Sequence, residues 1–276
     1  MRIVVLGIDA LDYDYVVMCG FEEFMLRNYG KLRIPEELWL NGVPYTPLVW
    51  TAYLTGRRPA EVGVESIYQF PKWLRLIQKI IAWTPLRFVK GKRRVLRKFG
   101  FEVTKPYKIR GNTLLDDVKS VGINVPGVSL DKRFYKILDL IDRGEFFAAV
   151  RLSYGLTRDV FVKVREAVEV GWADLIFGYV NLLDIVGHLF WVKEPKEVVM
   201  AYKFVSSWVE VLRKLAITSG YHVIIISDHG MRDSGDGVTG THTEFGFWAS
   251  TLRDFSLSSP YEFREKVVRL VRAEAD

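Results

Sequence analysis

The feature that most limits how this chain can fold is the alternation of short apolar runs with longer helical patterns. The β-branched run RIVVLGI at residues 2–8 predicts a buried strand that delivers Asp9 to a loop. Further strand-like runs follow at 123–130 and 173–181, and another opens at His222. Strands that alternate with helices favour an α/β fold, with a mostly parallel central sheet and helices on both faces.

The helical patterns lie between these runs. Thr46 and Pro47 are predicted to open a helix, because Thr is a good N-cap and Pro is favoured at the first helical position. Gly56 and Pro59 are predicted to close it. The other helical patterns cover residues 13–28, 112–122, 131–171, 196–216 and a segment from about 260 to the end.

Residues 67–101 are predicted to form a small helical cap, inserted into a single domain that spans 1–276. No acidic residue occurs between Glu65 and Glu102, whereas this stretch holds ten Lys and Arg residues. The cap has two interpretations: a solvated lid, or a basic amphipathic surface that guides an anionic substrate or rests on an anionic membrane. Nucleic acid is not expected as a partner, because no recognition module accompanies the basic residues.

The composition, 49% hydrophobic and 26% charged, is typical of a folded protein. No run approaches the roughly 20 apolar residues of a membrane span, and the N-terminus does not resemble a secretory signal, so a cytoplasmic location is expected. Cys19 is the single cysteine, which excludes an internal disulfide and a thiolate metal cluster. Only seven residues are Asn or Gln, and this amide-poor, charge-rich bias resembles that of thermophile proteins.

Acids and histidines occur at the predicted carboxyl ends of the strands, where sites collect in open parallel sheets. Asp184 and His188 are four residues apart in DIVGH, a spacing that places both on one face of a helical turn. Carboxylates, imidazoles and a hydroxyl form a ligand set suited to two divalent metal ions, zinc above all, although manganese or iron is also accepted by such sites. The candidate residues are Asp9, Thr46, Asp184, His188, Asp228, His229 and His242.

These motifs, GIDALD, TPLVWTAYLTG, DIVGH, SDHG and THTEFG, occur in an order and spacing that resembles the alkaline phosphatase superfamily. The resemblance is strongest to its type I phosphodiesterase/nucleotide pyrophosphatase branch, and it runs from residue 3 to about 246. It implies that Thr46 is the nucleophile and that the enzyme forms a phospho-threonine intermediate. It further implies one zinc ion on Asp184, His188 and His242, and another on Asp9, Thr46, Asp228 and His229.

The resemblance predicts a phosphodiesterase that acts on a small-molecule or lipid phosphate ester. Two departures from the family pattern stand at Val62, where a histidine is common, and at Ile67, where nucleotide-cleaving members place an asparagine. Two alternatives stay open: a phosphomonoesterase with the same site, and a non-catalytic protein that binds anions or a membrane surface. The physiological leaving group and the oligomeric state are not fixed by any motif.

The remaining acids and the fourth histidine are assigned structural roles. His222 opens a strand, at the end opposite the candidate site, and is expected to be structural. Asp12 is predicted to cap the first helix, and Asp14 lies in its first turn. Asp233 and Asp236 are predicted to be solvated turn residues.

Overall fold

The computed structural model describes residues 1–64, 68–69 and 105–273. The predicted cap at 67–101 lies outside the described residues, apart from 68–69. That pair forms a short antiparallel ladder with 105–106. The twelve strands of the described part are β1 (Arg2–Ile8), β2 (Asn28–Arg33), β3 (Trp39–Leu40), β4 (Val43–Pro44), β5 (Tyr68–Gln69), β6 (Lys105–Pro106), β7 (Ser120–Ile123), β8 (Leu175–Val180), β9 (Tyr221–Ile226), β10 (Met231–Asp233), β11 (Gly240–His242) and β12 (Phe245–Ser250).

Six of these strands form the central sheet, in the order β2-β12-β9-β1-β8-β7. Strands β7, β8, β1 and β9 are parallel, whereas β12 runs antiparallel to both of its neighbours. The prediction of a mostly parallel sheet is therefore confirmed. The carboxyl ends of β1, β8 and β9 lie side by side in its middle.

Helices cover both faces of this sheet, as predicted. The α-helices of the described part are α1 (Tyr13–Cys19), α2 (Thr46–Thr55), α3 (Lys132–Asp142), α4 (Phe146–Val170), α5 (Leu182–Phe190), α6 (Pro195–Thr218) and α7 (Phe263–Arg272). Helices α4, α5 and α6 pack on one face, while α2 and α7 pack on the other around the buried Trp50. Among the described residues, none of the helices has the length and apolar character that crossing a bilayer requires.

The central strand β1 shows how its sequence produces these two cores. Val4 and Leu6 point into the first core, and Ile3 and Val5 point into the second, because successive side chains of a strand face opposite ways. All four are at most 1% exposed. A strand covered on both faces has no polar alternation, which explains why the run reads as continuously apolar.

The helix predicted at 13–28 is wrong in its length. Helix α1 ends at Cys19 because Gly20 adopts a left-handed conformation, with φ of 69°, and its N–H donates back to the last turn. Phe21 and Phe24 then turn into the core, and the chain enters β2 at Asn28. The helix propensity of residues 13–28 favoured a longer helix, but the burial of the two phenylalanine rings determines how the chain runs after Gly20.

Three other boundaries also differ from the prediction. Thr46 is not the N-cap of α2: Tyr45 occupies that position, and Thr46 is the first helical residue. The segment 112–122 forms only a short 3-10 turn at Leu114–Asp116 before β7, so the strand predicted at 123–130 lies earlier, at 120–123. The helical stretch 131–171 is divided into α3 and α4 at Gly144, whose φ is 79°.

Gly246 in β12 is a position where backbone packing reaches the candidate site. A Cβ at Gly246 would lie against the carbonyl oxygen of Ser227, closer than side chains approach backbone, and 3.5 Å from the carbonyl carbon of Asp228. We expect Gly246→Ala to lower the free energy of unfolding by about 1–3 kcal/mol through overpacking. Urea denaturation measures this. Gly155→Ala is the control, because its Cβ would meet nothing within 4 Å, so its stability should be unchanged or slightly higher.

Candidate metal centre

The seven candidate residues converge at the carboxyl edge of the sheet. Asp9 directly follows β1, Asp228 and His229 follow β9, and Asp184 lies in the first turn of α5, which follows β8. His242 ends β11, and Thr46 begins α2. The three carboxylates and three imidazoles form two groups, within each of which the ligand atoms lie within 4.8 Å of one another. We call Asp184, His188 and His242 the outer group, and Asp9, Asp228 and His229 the inner group.

The outer group is held by α5 and by the strand β11. The Nε2 atom of His188 lies 3.2 Å from Oδ1 of Asp184, and that of His242 lies 3.6 Å from the same oxygen. The two Nε2 atoms are 2.8 Å apart. The helical spacing of DIVGH therefore places Asp184 and His188 together as predicted, and β11 brings His242 to them across a long sequence separation.

The inner group lies deeper, and the hydroxyl of Thr46 reaches it. The Nε2 atom of His229 lies 3.3 Å from Oδ1 of Asp9 and 3.2 Å from Oδ2 of Asp228. Oγ1 of Thr46 is 3.1 Å from this nitrogen. Asp184 connects the two groups, because its Oδ1 is 4.0 Å from the same nitrogen.

Backbone carbonyls fix the orientation of all three imidazole rings. Nδ1 of His188 donates to the carbonyl oxygen of Gly240 at 3.0 Å, and Nδ1 of His242 donates to that of Pro44 at 2.7 Å. Nδ1 of His229 donates to the carbonyl oxygen of Gly230 at 3.0 Å. A carbonyl oxygen only accepts, so each Nδ1 carries a proton and each Nε2 is directed at the site. Metal-ligating histidines are commonly oriented by such outer hydrogen bonds.

The electrostatics of the inner group oppose full ionisation of its two carboxylates next to the carboxylate of Asp184. Burial raises the pKa of Asp9, and the charges of Asp228 and Asp184 raise it further. Burial also raises the pKa of Asp228, to about 6. The same cause, together with the charge of His242, holds the pKa of His229 well below its usual value, so this ring stays neutral and does not compensate the carboxylates.

The outer group shows the same demand for positive charge. Burial tends to raise the pKa of Asp184, but the charge of His188 and the polar contacts with His188 and His242 outweigh it, and the pKa lies well below its usual value. Burial lowers the pKa of His188, yet the charge of Asp184 prevails and raises it. The carboxylate therefore stays ionised and draws a proton, or another cation, to the neighbouring nitrogen.

These residues fit divalent metal ions. Asp9 Oδ1, Asp184 Oδ1 and Asp228 Oδ2 are buried and accept no hydrogen bond from any described residue. Ligands about 2.0–2.1 Å from a tetrahedral ion stand about 3.3 to 3.4 Å from one another. The nitrogen-to-oxygen distances of 3.2 to 3.6 Å within the two groups match this spacing. A cation in each group would satisfy the orphaned oxygens and neutralise the crowded carboxylates.

The two groups differ in their contact with solvent. The side chains of the inner group are at most 1% exposed, whereas those of His188 and Asp184 are 41% and 17% exposed. The rings of His229 and His242 stack with their centroids 3.5 Å apart and form the boundary between the groups. The outer group is therefore the side of the centre with more contact with solvent.

Asp12, Asp236 and the fourth histidine lie where the sequence predicted, whereas Asp233, predicted to be in a turn, ends strand β10 and pairs with Gly240. Asp12 caps α1 through the N–H of Tyr15, and its second oxygen accepts from the N–H of Met231. His222 lies at the start of β9, at the end of the strand opposite the centre. Asp236 accepts from three groups of its own exposed turn. The bond from Asp12 to Met231, which ties the first loop to the segment after His229, had no signal in the sequence.

Sequence reasoning also missed the residues that support the inner group. The hydroxyl of Tyr179 in β8 donates to Oδ2 of Asp9, and burial raises its own pKa well above the usual value, so it stays a donor. Oγ of Ser227 accepts from the N–H of Leu11 at 3.0 Å and donates to the carbonyl of His229 at 2.7 Å. Tyr179 lies within an apolar run, and only the strand register shows that it reaches Asp9.

A family model identifies the protein family of this chain. The family model of type I phosphodiesterases/nucleotide pyrophosphatases matches residues 3–245, which includes all seven candidate positions. The chain belongs to this family. Its membership agrees with the resemblance to the alkaline phosphatase superfamily drawn from the motifs. No curated protein matches the chain in sequence.

Several solved structures resemble this chain in fold. Human ectonucleotide pyrophosphatase/phosphodiesterase 5 matches with a TM-score of 0.53 and 9% identity, over 99% of this chain and 95% of that one. Phosphonoacetate hydrolase from Sinorhizobium meliloti, in complex with phosphonoformate, matches with a TM-score of 0.50 and 15% identity, over 87% of this chain and 59% of that one. The murine ectonucleotide pyrophosphatase/phosphodiesterase 5 matches with a TM-score of 0.47 and 14% identity. The match spans 86% of this chain and 59% of that one. At these identities the similarity concerns the fold.

Proposed function

We propose that this protein is a metal-dependent phosphodiesterase that hydrolyses a phosphate ester through a phospho-threonine intermediate on Thr46. The observation that carries the proposal is the position of this hydroxyl, 3.1 Å from Nε2 of His229 and beside two buried, unpartnered carboxylate oxygens. Membership of a phosphodiesterase family supports the same chemistry.

The inner and outer groups would hold two divalent ions, with zinc as the expected metal and manganese or iron as substitutes. Such ions supply charge stabilisation for phosphoryl oxygens and make oxygen nucleophiles available at neutral pH. The inner residues Asp9, Asp228 and His229, with Thr46, would hold one ion. The outer group would hold the other, and the exposed position of His188 leaves that side open to the substrate.

In this proposal Thr46 acts as the nucleophile. Its oxygen would attack phosphorus while the bond to the leaving oxygen breaks, and water would later cleave the phospho-threonine ester and restore the hydroxyl. Without an ion, the hydroxyl donates to the neutral Nε2 of His229 at 3.1 Å, since burial holds the pKa of that ring well below its usual value. A bound ion would take this nitrogen and the threonine oxygen as ligands, and the hydroxyl proton would then pass to solvent.

The start of α2 contributes less than a usual helix N-terminus. Pro47 has no N–H, and the N–H groups of Leu48 and Val49 donate to the carbonyl of Tyr45 at 2.8 and 3.2 Å. The N–H of Thr46 itself meets no acceptor among the described residues, so it is available to a phosphoryl oxygen. The aligned peptide dipoles of the helix add a favourable potential for an anion at the same place.

A non-catalytic role for the same fold is disfavoured by the cost of the site. Keeping three carboxylates together in the interior destabilises a protein unless cations are bound, and Asp9 and Asp228 show this as raised pKa values caused first by burial. A surface for anions alone needs no such cluster of acids. The basic segment 67–101, its contact with membranes and the cytoplasmic location remain predictions.

The choice of substrate class is tested with two chromogenic esters. We expect bis-p-nitrophenyl phosphate to be cleaved with a higher kcat/KM than p-nitrophenyl phosphate, in the presence of zinc or manganese. A preference for the monoester would favour the phosphomonoesterase instead, and the same site serves both reactions. If neither ester is cleaved at any metal loading, both the phosphodiesterase and the phosphomonoesterase assignments are contradicted.

A further inference from the structure

A second charged cavity lies far from the metal centre. It has a volume of about 670 Å³ and is formed by the turn after α2 and one side of α7. Four arginines line it, and we call it the arginine groove: Arg57, Arg264, Arg269 and Arg272. Thr46 begins α2 and Thr55, which lines the groove, ends it, so a helix of ten residues, about 15 Å long, separates the groove from the metal centre.

One arginine of the groove is committed to the fold. The guanidinium of Arg264 donates to both oxygens of Asp117, at 2.8 and 3.0 Å, and to the carbonyl oxygen of Thr55 at 2.9 Å. The side chains of this pair are only about one-fifth exposed. Asp117 is thereby neutralised, and its carboxylate does not repel an anion in the groove.

The other arginines commit few of their donors to the described part of the chain. No ion pair joins Arg57 to a described residue, and it lines the groove. Within the same part, Arg272 donates to a backbone carbonyl, that of Asp117, at 3.0 Å. Arg269 pairs with Glu265, but these side chains are 75% and 76% exposed, and ion pairs at such exposure stabilise little. Among the described residues that line the groove, four arginines face two carboxylates, a surplus of two positive charges.

We propose that the arginine groove is a second binding site, for a small organic phosphate. Guanidinium groups match the oxygens of a phosphate in paired hydrogen bonds, which makes arginine suited to this ligand. The volume is that of a small-molecule site rather than of a single ion. Tyr261 and Val268 line the same cavity and offer apolar surface to the organic part of the ligand. This site does not depend on the phosphodiesterase proposed above.

Phenylphosphonate is a suitable probe, because it carries a phosphate-like dianion and an aromatic ring but no ester bond. Its binding to the full-length, metal-loaded protein is measured by isothermal titration calorimetry. In the double variant Arg57→Ala/Arg272→Ala, the Kd for phenylphosphonate binding at the arginine groove should rise at least about tenfold. The control Arg27→Ala/Arg151→Ala removes the same charge from exposed arginines outside the groove and should leave the Kd unchanged.

Three results decide the proposal. Equal isotherms for the wild-type protein and the Arg57→Ala/Arg272→Ala variant overturn it, as does an equal weakening in the control variant, which would indicate a general effect of net charge. Methylphosphonate, which lacks the ring, should bind more weakly than phenylphosphonate, because Tyr261 and Val268 would contact the ring. Equal binding of the two would contradict that contact. Turnover of bis-p-nitrophenyl phosphate should be unchanged in the arginine variant, so a failure of either proposal is visible separately.

Discussion

Replacing Thr46 with alanine is expected to lower kcat for phosphate ester hydrolysis by at least about 10³-fold, because the variant lacks the attacking oxygen. The carboxylates and imidazoles of both groups stay in place, since none of them is positioned by this side chain alone. Metal content measured by atomic emission should therefore match the wild type within about 20% of two ions per chain, if the ions are bound as proposed. Steady-state kinetics with bis-p-nitrophenyl phosphate measures the loss.

Two variants separate the loss of the nucleophile from a change in packing. Thr46→Val keeps the β-branched shape without the hydroxyl, and it should be as inactive as Thr46→Ala. Thr46→Ser keeps the hydroxyl and should retain a measurable fraction of the activity, with a phospho-serine trapped by acid quench. Substantial turnover in the valine variant would show that another group attacks phosphorus.

Removing the metal ions is expected to abolish turnover and to lower the melting temperature by about 10 °C. Ions present at roughly 1,000 times their Kd stabilise the folded state by about 4 kcal/mol, and a protein of this size loses about 2–4 °C per kcal/mol. Without cations, the buried oxygens of Asp9, Asp184 and Asp228 have no partner among the described residues. Differential scanning calorimetry before and after chelation measures the shift, and added zinc should restore both properties.

Asp184→Ala tests the same site without a chelator. Its Oδ1 lies 3.2 Å from His188 and 3.6 Å from His242, so the variant should lose the outer ion and most of the activity. Asp236→Ala is the matched control. That carboxylate bonds only within an exposed turn, so metal content and kcat should be unchanged. Full metal occupancy in Asp184→Ala would contradict the assignment of the outer group.

The sequence determined much of the candidate site because each piece of it is encoded locally. Asp184 and His188 are brought together by the spacing of a helical turn, and Asp9 and Asp228 follow apolar runs that had to be strands. Their convergence then follows from a general property of parallel sheets, whose carboxyl ends share one edge. This is why the motifs that follow three strands sufficed to predict that Asp9, Asp184 and Asp228 share one site.

Boundaries were less predictable where packing outweighs local preference. The pattern at 13–28 is compatible with a helix, but Gly20 ends it, since its left-handed backbone lets the chain turn Phe21 and Phe24 into the core. Thr46 before Pro47 resembles an N-cap, yet the cap is Tyr45, and the hydroxyl is directed to His229 instead. In both cases a contact distant in sequence decides the outcome.

The sequence by itself determined the fold class and the chemical types of the site, because apolar periodicity and residue spacing act over short distances along the chain. Only the tertiary structure decided how the site is completed. The hydroxyl of Tyr179 reaches Asp9, and backbone carbonyls from Pro44 and Gly240 orient two imidazoles. It also formed the arginine groove, from segments about 200 residues apart. Such contacts depend on strand register and helix packing, which no local pattern encodes.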